Sequence, residues 1–261
     1  MDNIQAENLF IGKNVVIEKT ANIRGVKGKA NNISIGDNTY IGHNVQIICD
    51  DFSIGDYSKI HHDTNIHGYK PCVIGHNAWI GQFVIIDSIG GVKIGNNCGI
   101  GAHSQLWSHI KFGDTLEGCR FLTEKELCVG NDVWFVGHCI VSPVAAKDKS
   151  MAMVGSVITK DMEFNTIYAG APAKEISSKI GLQFKEVSIE EKKQLMSQYL
   201  EKSNCNNIKI VGSHTEFNWE DSISYFDVLT RTYTKKRTED EIKFMLFLLP
   251  EKGKFIPSLI P

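Results

Sequence analysis

The side chains with the widest chemical reach in this sequence are its nine histidines. An imidazole near its ordinary pKa takes or gives a proton at neutral pH, and in its neutral form it ligates metal ions. His109 stands in Trp107-Ser108-His109-Ile110, and His138 closes Trp134-Phe135-Val136-Gly137-His138. Asp87 supplies a carboxylate able to orient an imidazole or a bound substrate, although aspartates also serve as plain turn formers. Asp114 and Glu117 can accept from a ligand's hydroxyls or pair with Lys111 and Arg120. His61 and His67 lie six residues apart, with His62 beside the first, and catalytic zinc requires about three such imidazoles plus an open position for water.

What must position these residues is a repeat. Ile35-Gly36 leads to Ile41-Gly42 and Ile47, Ile54-Gly55 to Ile60 and Ile66, Ile74-Gly75 to Ile80-Gly81 and Ile86, and Ile94-Gly95 to Ile100-Gly101 and Leu106. Ile11-Gly12, Ile17 and Ile23 keep the same beat. A period of six fits neither an amphipathic helix nor an ordinary alternating strand. It predicts a β-helix whose coils have three short flat sides, each pointing one aliphatic residue at the axis. The glycine after each isoleucine is expected at a corner, where lack of a Cβ lets the backbone turn and the coils stack closely. The repeat runs over about residues 9–176, and a strand spacing of ~4.8 Å makes the prism roughly 40 Å tall.

Two interruptions break the beat. Residues 24–32 are polar and glycine-rich, as expected of a loop between early coils. Residues 107–127 form a longer excursion, with the hexads resuming at Val129-Gly130. A solenoid needs no such loop to bury its core, so the excursion is expected to carry function. The aliphatic positions 129, 135 and 141 are also out of phase with 146, 152 and 158, which predicts an irregular corner between Phe135 and Ala146. Ala146 and Ala152 are smaller than the axis residues elsewhere, as suits a wall narrowed beside a ligand or a repeat merely tolerated.

After residue 176 the pattern changes to an α/β or helical extension, residues 177–261. Ser188 to Glu191 reads as a capping box opening a helix through about Lys202, with Ile189, Leu195, Met196 and Tyr199 as its apolar stripe. Asn207 to Val211 reads as a strand. Thr238 to Glu241 caps a last helix with Ile242, Met245, Leu246 and Leu249 facing inward, stopped by Pro250.

A net charge of -2 and a pI near 6.5 speak against nucleic acid or an anionic membrane as partner. No apolar run is long enough for a membrane span. The start, MDNIQAENLF, lacks the regions of a signal peptide, and seven scattered cysteines read as reduced thiols, so the expected location is cytoplasmic.

Val154-Gly155-Ser156-Val157-Ile158-Thr159-Lys160-Asp161, followed by Tyr168-Ala169-Gly170-Ala171-Pro172-Ala173-Lys174, resembles the closing segment of the hexapeptide-repeat acyltransferases. Val129-Gly130-Asn131-Asp132-Val133-Trp134 is similar to the segment that precedes it. The resemblance covers roughly residues 33–176. It implies a left-handed parallel β-helix, assembled as a homotrimer, that transfers an acetyl group from acetyl-CoA. It implies His109 as general base and Trp134 beside the thioester and pantetheine, with Asp87, one coil earlier, placed to orient the imidazole or the acceptor. Gly155 and Ser156 are then expected along the pantetheine, with Lys160 and Lys174 at the cofactor's phosphates and no resident metal. The implied acceptor is a sugar hydroxyl in a polysaccharide or glycoconjugate, with N-acetylation of a nucleotide-linked amino sugar as the alternative. The γ-class carbonic anhydrases share this fold, which keeps zinc at His61 and His67 as a third reading.

Overall fold

The computed structural model describes residues 3–258. The chain forms two compact units, Met1–Phe184 and Lys185–Pro261. The first therefore runs beyond the expected 176. Asn165 explains why: its Nδ2 donates to the Phe184 carbonyl and its Oδ1 accepts from the Phe184 N–H, both at 2.9 Å.

The first unit is the parallel β-helix expected from the hexads, left-handed in its winding. Its strands are mostly two to four residues long, too short to be stable alone. Each coil instead hydrogen-bonds to the next, as where the Gly55 N–H donates to the Ile74 carbonyl at 2.9 Å. Three inward columns make the core. The first face stacks Ile35, Ile54, Ile74, Ile94, Val129 and Ala146 in register. The second stacks Ile41, Ile60, Ile80, Ile100, Phe135 and Ala152, and the third Ile47, Ile66, Ile86, Leu106, Val141 and Ile158. All are buried. At about 1.5–3 kcal/mol for each large aliphatic side chain removed from water, these columns drive the winding.

Glycine and corner divide their labour differently from the sequence expectation. The turn is made two residues after the glycine, at Asn38, Tyr57, Asn77 and Asn97, whose φ values lie between 56° and 65°. Asparagine tolerates this left-handed region better than most residues. The glycine serves stacking: a Cβ on Gly36 would lie 2.5 Å from the Asp56 nitrogen in the next coil.

The corners are unequal. From the first face to the second, and from the second to the third, inward residues are always six apart. From the third face to the first the spacing varies, from Ile47 to Ile54, Ile86 to Ile94, Leu106 to Val129 and Val141 to Ala146. The irregular corner falls after Val141, later than the Phe135 edge of the expected window. The early loop is also shorter than expected: Gly25 and Gly28 bridge across a tight turn, and Ala30–Ile35 is already strand. The two small alanines have a packing reason. Ala152 stands in register on the bulky, fully buried Phe135, and Ala146 bridges to the buried Met162.

The second unit is α/β. Ile208–Val211, Ser224–Asp227, Thr232–Tyr233 and Ile256–Pro257 form a mixed sheet. Phe226 centres its core, with the Tyr233, Phe244 and Phe255 rings 5.1–5.4 Å away. The helix Ile189–Ser203 opens with the Ser188 capping box, but Leu195 is exposed and Met196 carries the burial. In the helix Glu239–Leu248 the buried positions are Glu241, Phe244, Met245 and Leu248, so Leu246 is outside. Glu241 displaces the stripe because its carboxylate accepts from Ser224 Oγ and from the Lys236 and Arg237 N–H groups. Burial pushes that carboxyl above its ordinary pKa.

Candidate active site

The excursion leaves from the one variable corner as a β-hairpin. His109–Lys111 pairs antiparallel with Leu122–Glu124, and His109 stands directly opposite Glu124. Lys111 Nζ lies 2.7 Å from Glu124 Oε1, and Lys70 Nζ from the coil below lies 3.5 Å from Oε2. The Lys111 ammonium holds the Glu124 carboxyl below its ordinary pKa. Lys111 is thus paired with Glu124, whereas Asp114 Oδ1 accepts from the Leu116 N–H in the hairpin tip.

The hairpin base rests on Gly90. The Gly90 N–H donates to Ser108 Oγ at 2.8 Å, and a Cβ there would fall 2.2 Å from the Ser108 carbonyl oxygen. This close approach brings Ser108 and His109 over Asp87, whose side chain is wholly buried. Asp87 Oδ2 accepts from the Ser108 N–H at 2.9 Å and from Ser108 Oγ at 2.8 Å, and lies 2.7 Å from His109 Nδ1. An oxygen already accepting an N–H at that site calls for a proton on Nδ1, which leaves His109 Nε2 with a free lone pair. Trp107 packs edge-on against the same imidazole, their ring centres 6.3 Å apart. The His109 side chain keeps 19% of its surface exposed, enough for a ligand to reach its outer nitrogen. Beneath the corner, Cys49 Sγ lies 3.6 Å from Ser88 Oγ, and burial pushes its thiol up to about 11. A thiol so shifted carries little thiolate at neutral pH.

The other expected site residues lie elsewhere on the prism. Trp134 is on the second face, 45% exposed, its indole laid over Gly99 so that a Cβ there would sit 3.0 Å from Cδ1. Gly155 (φ 72°) turns the corner between the second and third faces in open space. On this corner His103 stacks between Phe83 and His138, with ring centres 5.0 and 4.8 Å apart. Ser156 is buried, and its Oγ donates to the Met153 carbonyl at 2.6 Å, so any outward contact here falls to Gly155. Lys160 and Lys174 are both exposed, Lys160 after the third face and Lys174 on the strand Ala173–Glu175 that ends the second. His61 leans on Trp79 (ring centres 4.9 Å), and burial lowers its pKa. Among the described residues no group of three or more His, Cys, Asp or Glu side chains is arranged to hold a metal ion.

Ser108, Gly90 and Glu124, which together fix His109, belong to no motif in the sequence. Ser108 and Gly90 carry no periodic signal, since both belong to the corner where the hexads fail. The one signal in the sequence is that Ser108 adjoins His109.

No family model matches the sequence. Among curated proteins the chain is similar to the bifunctional protein GlmU of Listeria welshimeri, 28% identical over 177 residues, which is 58% of this chain and 36% of that protein. It is also similar to the galactoside O-acetyltransferase of Escherichia coli K12, 37% identical over 51 residues, 19% of this chain and 25% of that one. The chain thus spans only about a third and a quarter of the length of these curated relatives. Among solved structures it superposes on AntD, an N-acyltransferase from Bacillus cereus in complex with dTDP and coenzyme A. That match has a TM-score of 0.50 at 18% identity, covering 75% of this chain and 92% of the other. In fold, the chain is a left-handed β-helix of the kind found in the hexapeptide-repeat acyltransferases it resembles.

Proposed function

We propose that this chain transfers an acetyl group from acetyl-CoA to a sugar hydroxyl of a polysaccharide or glycoconjugate, by direct attack and with His109 as general base. The observation that carries this reading is the Asp87–His109 pair, set at the base of a hairpin that the β-helix does not need for its own stability. With Nδ1 committed to Asp87, Nε2 takes the acceptor's hydroxyl proton as the oxygen attacks the thioester carbon. Asp87 stabilises the imidazolium that results. When the carbon–sulfur bond breaks, the same proton passes to the departing thiolate and His109 returns to its starting state.

Trp134 takes the thioester and pantetheine end of the cofactor, the Gly155 backbone lines its arm, and Lys160 and Lys174 meet its phosphates, where point charges suffice. These residues and His109 occupy different sides of one prism, which supports a homotrimer in which neighbouring copies complete each cleft. The hairpin tip exposes Phe112, Leu116 and Phe121, a surface such an assembly would cover. Seven free thiols support a cytoplasmic setting. No helix among the described residues is long and apolar enough to cross a membrane. The second reading, N-acylation of a nucleotide-linked amino sugar, is favoured by the likeness to an N-acyltransferase holding dTDP and coenzyme A, and it uses the same base.

The test is calorimetric titration of metal-stripped protein with acetyl-CoA, followed by thiol release with sugar and amino-sugar acceptors. Binding near one molecule per chain, with release that depends on a sugar, is the expected result. Absence of binding would sink the reading and direct attention to carbon dioxide hydration at His61 and His67.

A further inference from the structure

Asp87 is held on one side only. Oδ2 has three polar neighbours in Ser108 and His109, whereas the buried Oδ1 has no hydrogen-bond partner. A buried carboxylate oxygen without a donor is costly, and the group that faces it is His67 Nε2, 3.6 Å away. His67 stands one coil below, in direct register with Asp87. Its backbone is locked there: the Ser88 N–H donates to the His67 carbonyl at 2.7 Å, and a Cβ on Gly68 would fall 2.2 Å from the Ser88 carbonyl carbon. His67 Nδ1 is itself buried with no hydrogen-bond partner, so the ring hydrogen belongs on Nε2, towards the carboxylate.

We propose that His67 is a positioning residue for the Asp87–His109 pair, its Nε2–H directed at Asp87 Oδ1 from the side opposite His109. The proposal rests on the general-base reading of His109. Its physical content is a line of three side chains in which His109 hydrogen-bonds one carboxylate oxygen of Asp87 and His67 faces the other at 3.6 Å. The carboxylate turns about its Cβ–Cγ bond unless both oxygens are held, and any such turn misdirects the hydrogen bond to His109 Nδ1. Lys70 and Glu124 at this corner bind each other and Lys111, and Glu126 beside them pairs with Lys93.

The experiment compares the full-length chain with His67→Ala and His67→Gln, the glutamine keeping an N–H donor. His67 lies on the outside of the coil with 39% of its side chain exposed, and circular dichroism checks that each variant is folded. The expected result for His67→Ala is a kcat lower by roughly tenfold to a hundredfold, as the N–H facing a buried and otherwise unpartnered carboxylate oxygen is removed, at unchanged KM for acetyl-CoA. His67→Gln should recover most of it. In parallel, NMR of histidine ring carbons, with the His109 signal assigned from His109→Asn, follows the titration of His109 itself. Its midpoint should move in His67→Ala and return in His67→Gln. An unmoved midpoint, or wild-type kcat in His67→Ala, overturns the proposal. If the wild-type protein acetylates no sugar or amino sugar, the acyltransferase reading falls, and the NMR comparison alone decides the role of His67.

Discussion

His109 Nδ1 and Asp87 Oδ2 lie 2.7 Å apart although the two residues belong to successive coils. Their contact depends on the Gly90–Ser108 approach as much as on their own identities. Replacing His109 with alanine or asparagine should lower turnover by about 10²-fold to 10⁴-fold, the range for one general base. Asp87→Asn should cost roughly as much, because an amide that offers N–H to Nδ1 selects the wrong tautomer. Steady-state kinetics check both, and near-normal turnover in His109→Ala would move the base to His138.

Trp134 presents its indole on the second face, where only Gly99 leaves room beneath it. Trp134→Ala should weaken coenzyme A binding while leaving the melting temperature close to wild type, since the ring is half exposed. Calorimetry and thermal unfolding together decide the point. Unchanged affinity would make Trp134 a packing residue only.

Phe135 and Ala152 share one inward column in adjacent coils. Phe135→Ala should destabilise the β-helix by about 3–5 kcal/mol through the cavity it leaves. Ala152→Leu should cost roughly 1–3 kcal/mol by overfilling the same space. Denaturant unfolding measures both. Restored stability in the double variant Phe135→Leu, Ala152→Val would show that the column conserves total volume.

Asp221 in the second unit is held at about 2, below its ordinary 3.8, first by the Tyr225 hydroxyl and then by Lys236 Nζ. A depressed carboxyl pKa favours the folded state above 3.8, and that contribution disappears as the pH falls towards about 2. Thermal unfolding followed across this window should fall more steeply in the wild type than in Asp221→Asn. Equal slopes would mean that solvent screens the pair completely.

The sequence by itself determined the β-helix. Every inward residue of the three columns sits at a hexad position, because burial in a coil is a local property that six residues suffice to specify. It also showed where the excursion lies and that a histidine opens it, the residue that the fold sets beside Asp87. The helix caps at Ser188 and Thr238 were legible for the same reason: a cap is made by residues three apart. The buried stripe of the last helix was not, since Glu241 goes inside to meet partners from two other segments.

Tertiary structure decided the rest. The Ser108 donors, the Gly90 seat, the Glu124 clamp and the placement of His67 against Asp87 all join residues a coil or more apart. Alignment between coils depends on the length of the single corner that varies, and that length follows no period. The repeat therefore announces where the chain is regular, while the proposed site sits where regularity stops and only three-dimensional packing brings the groups together.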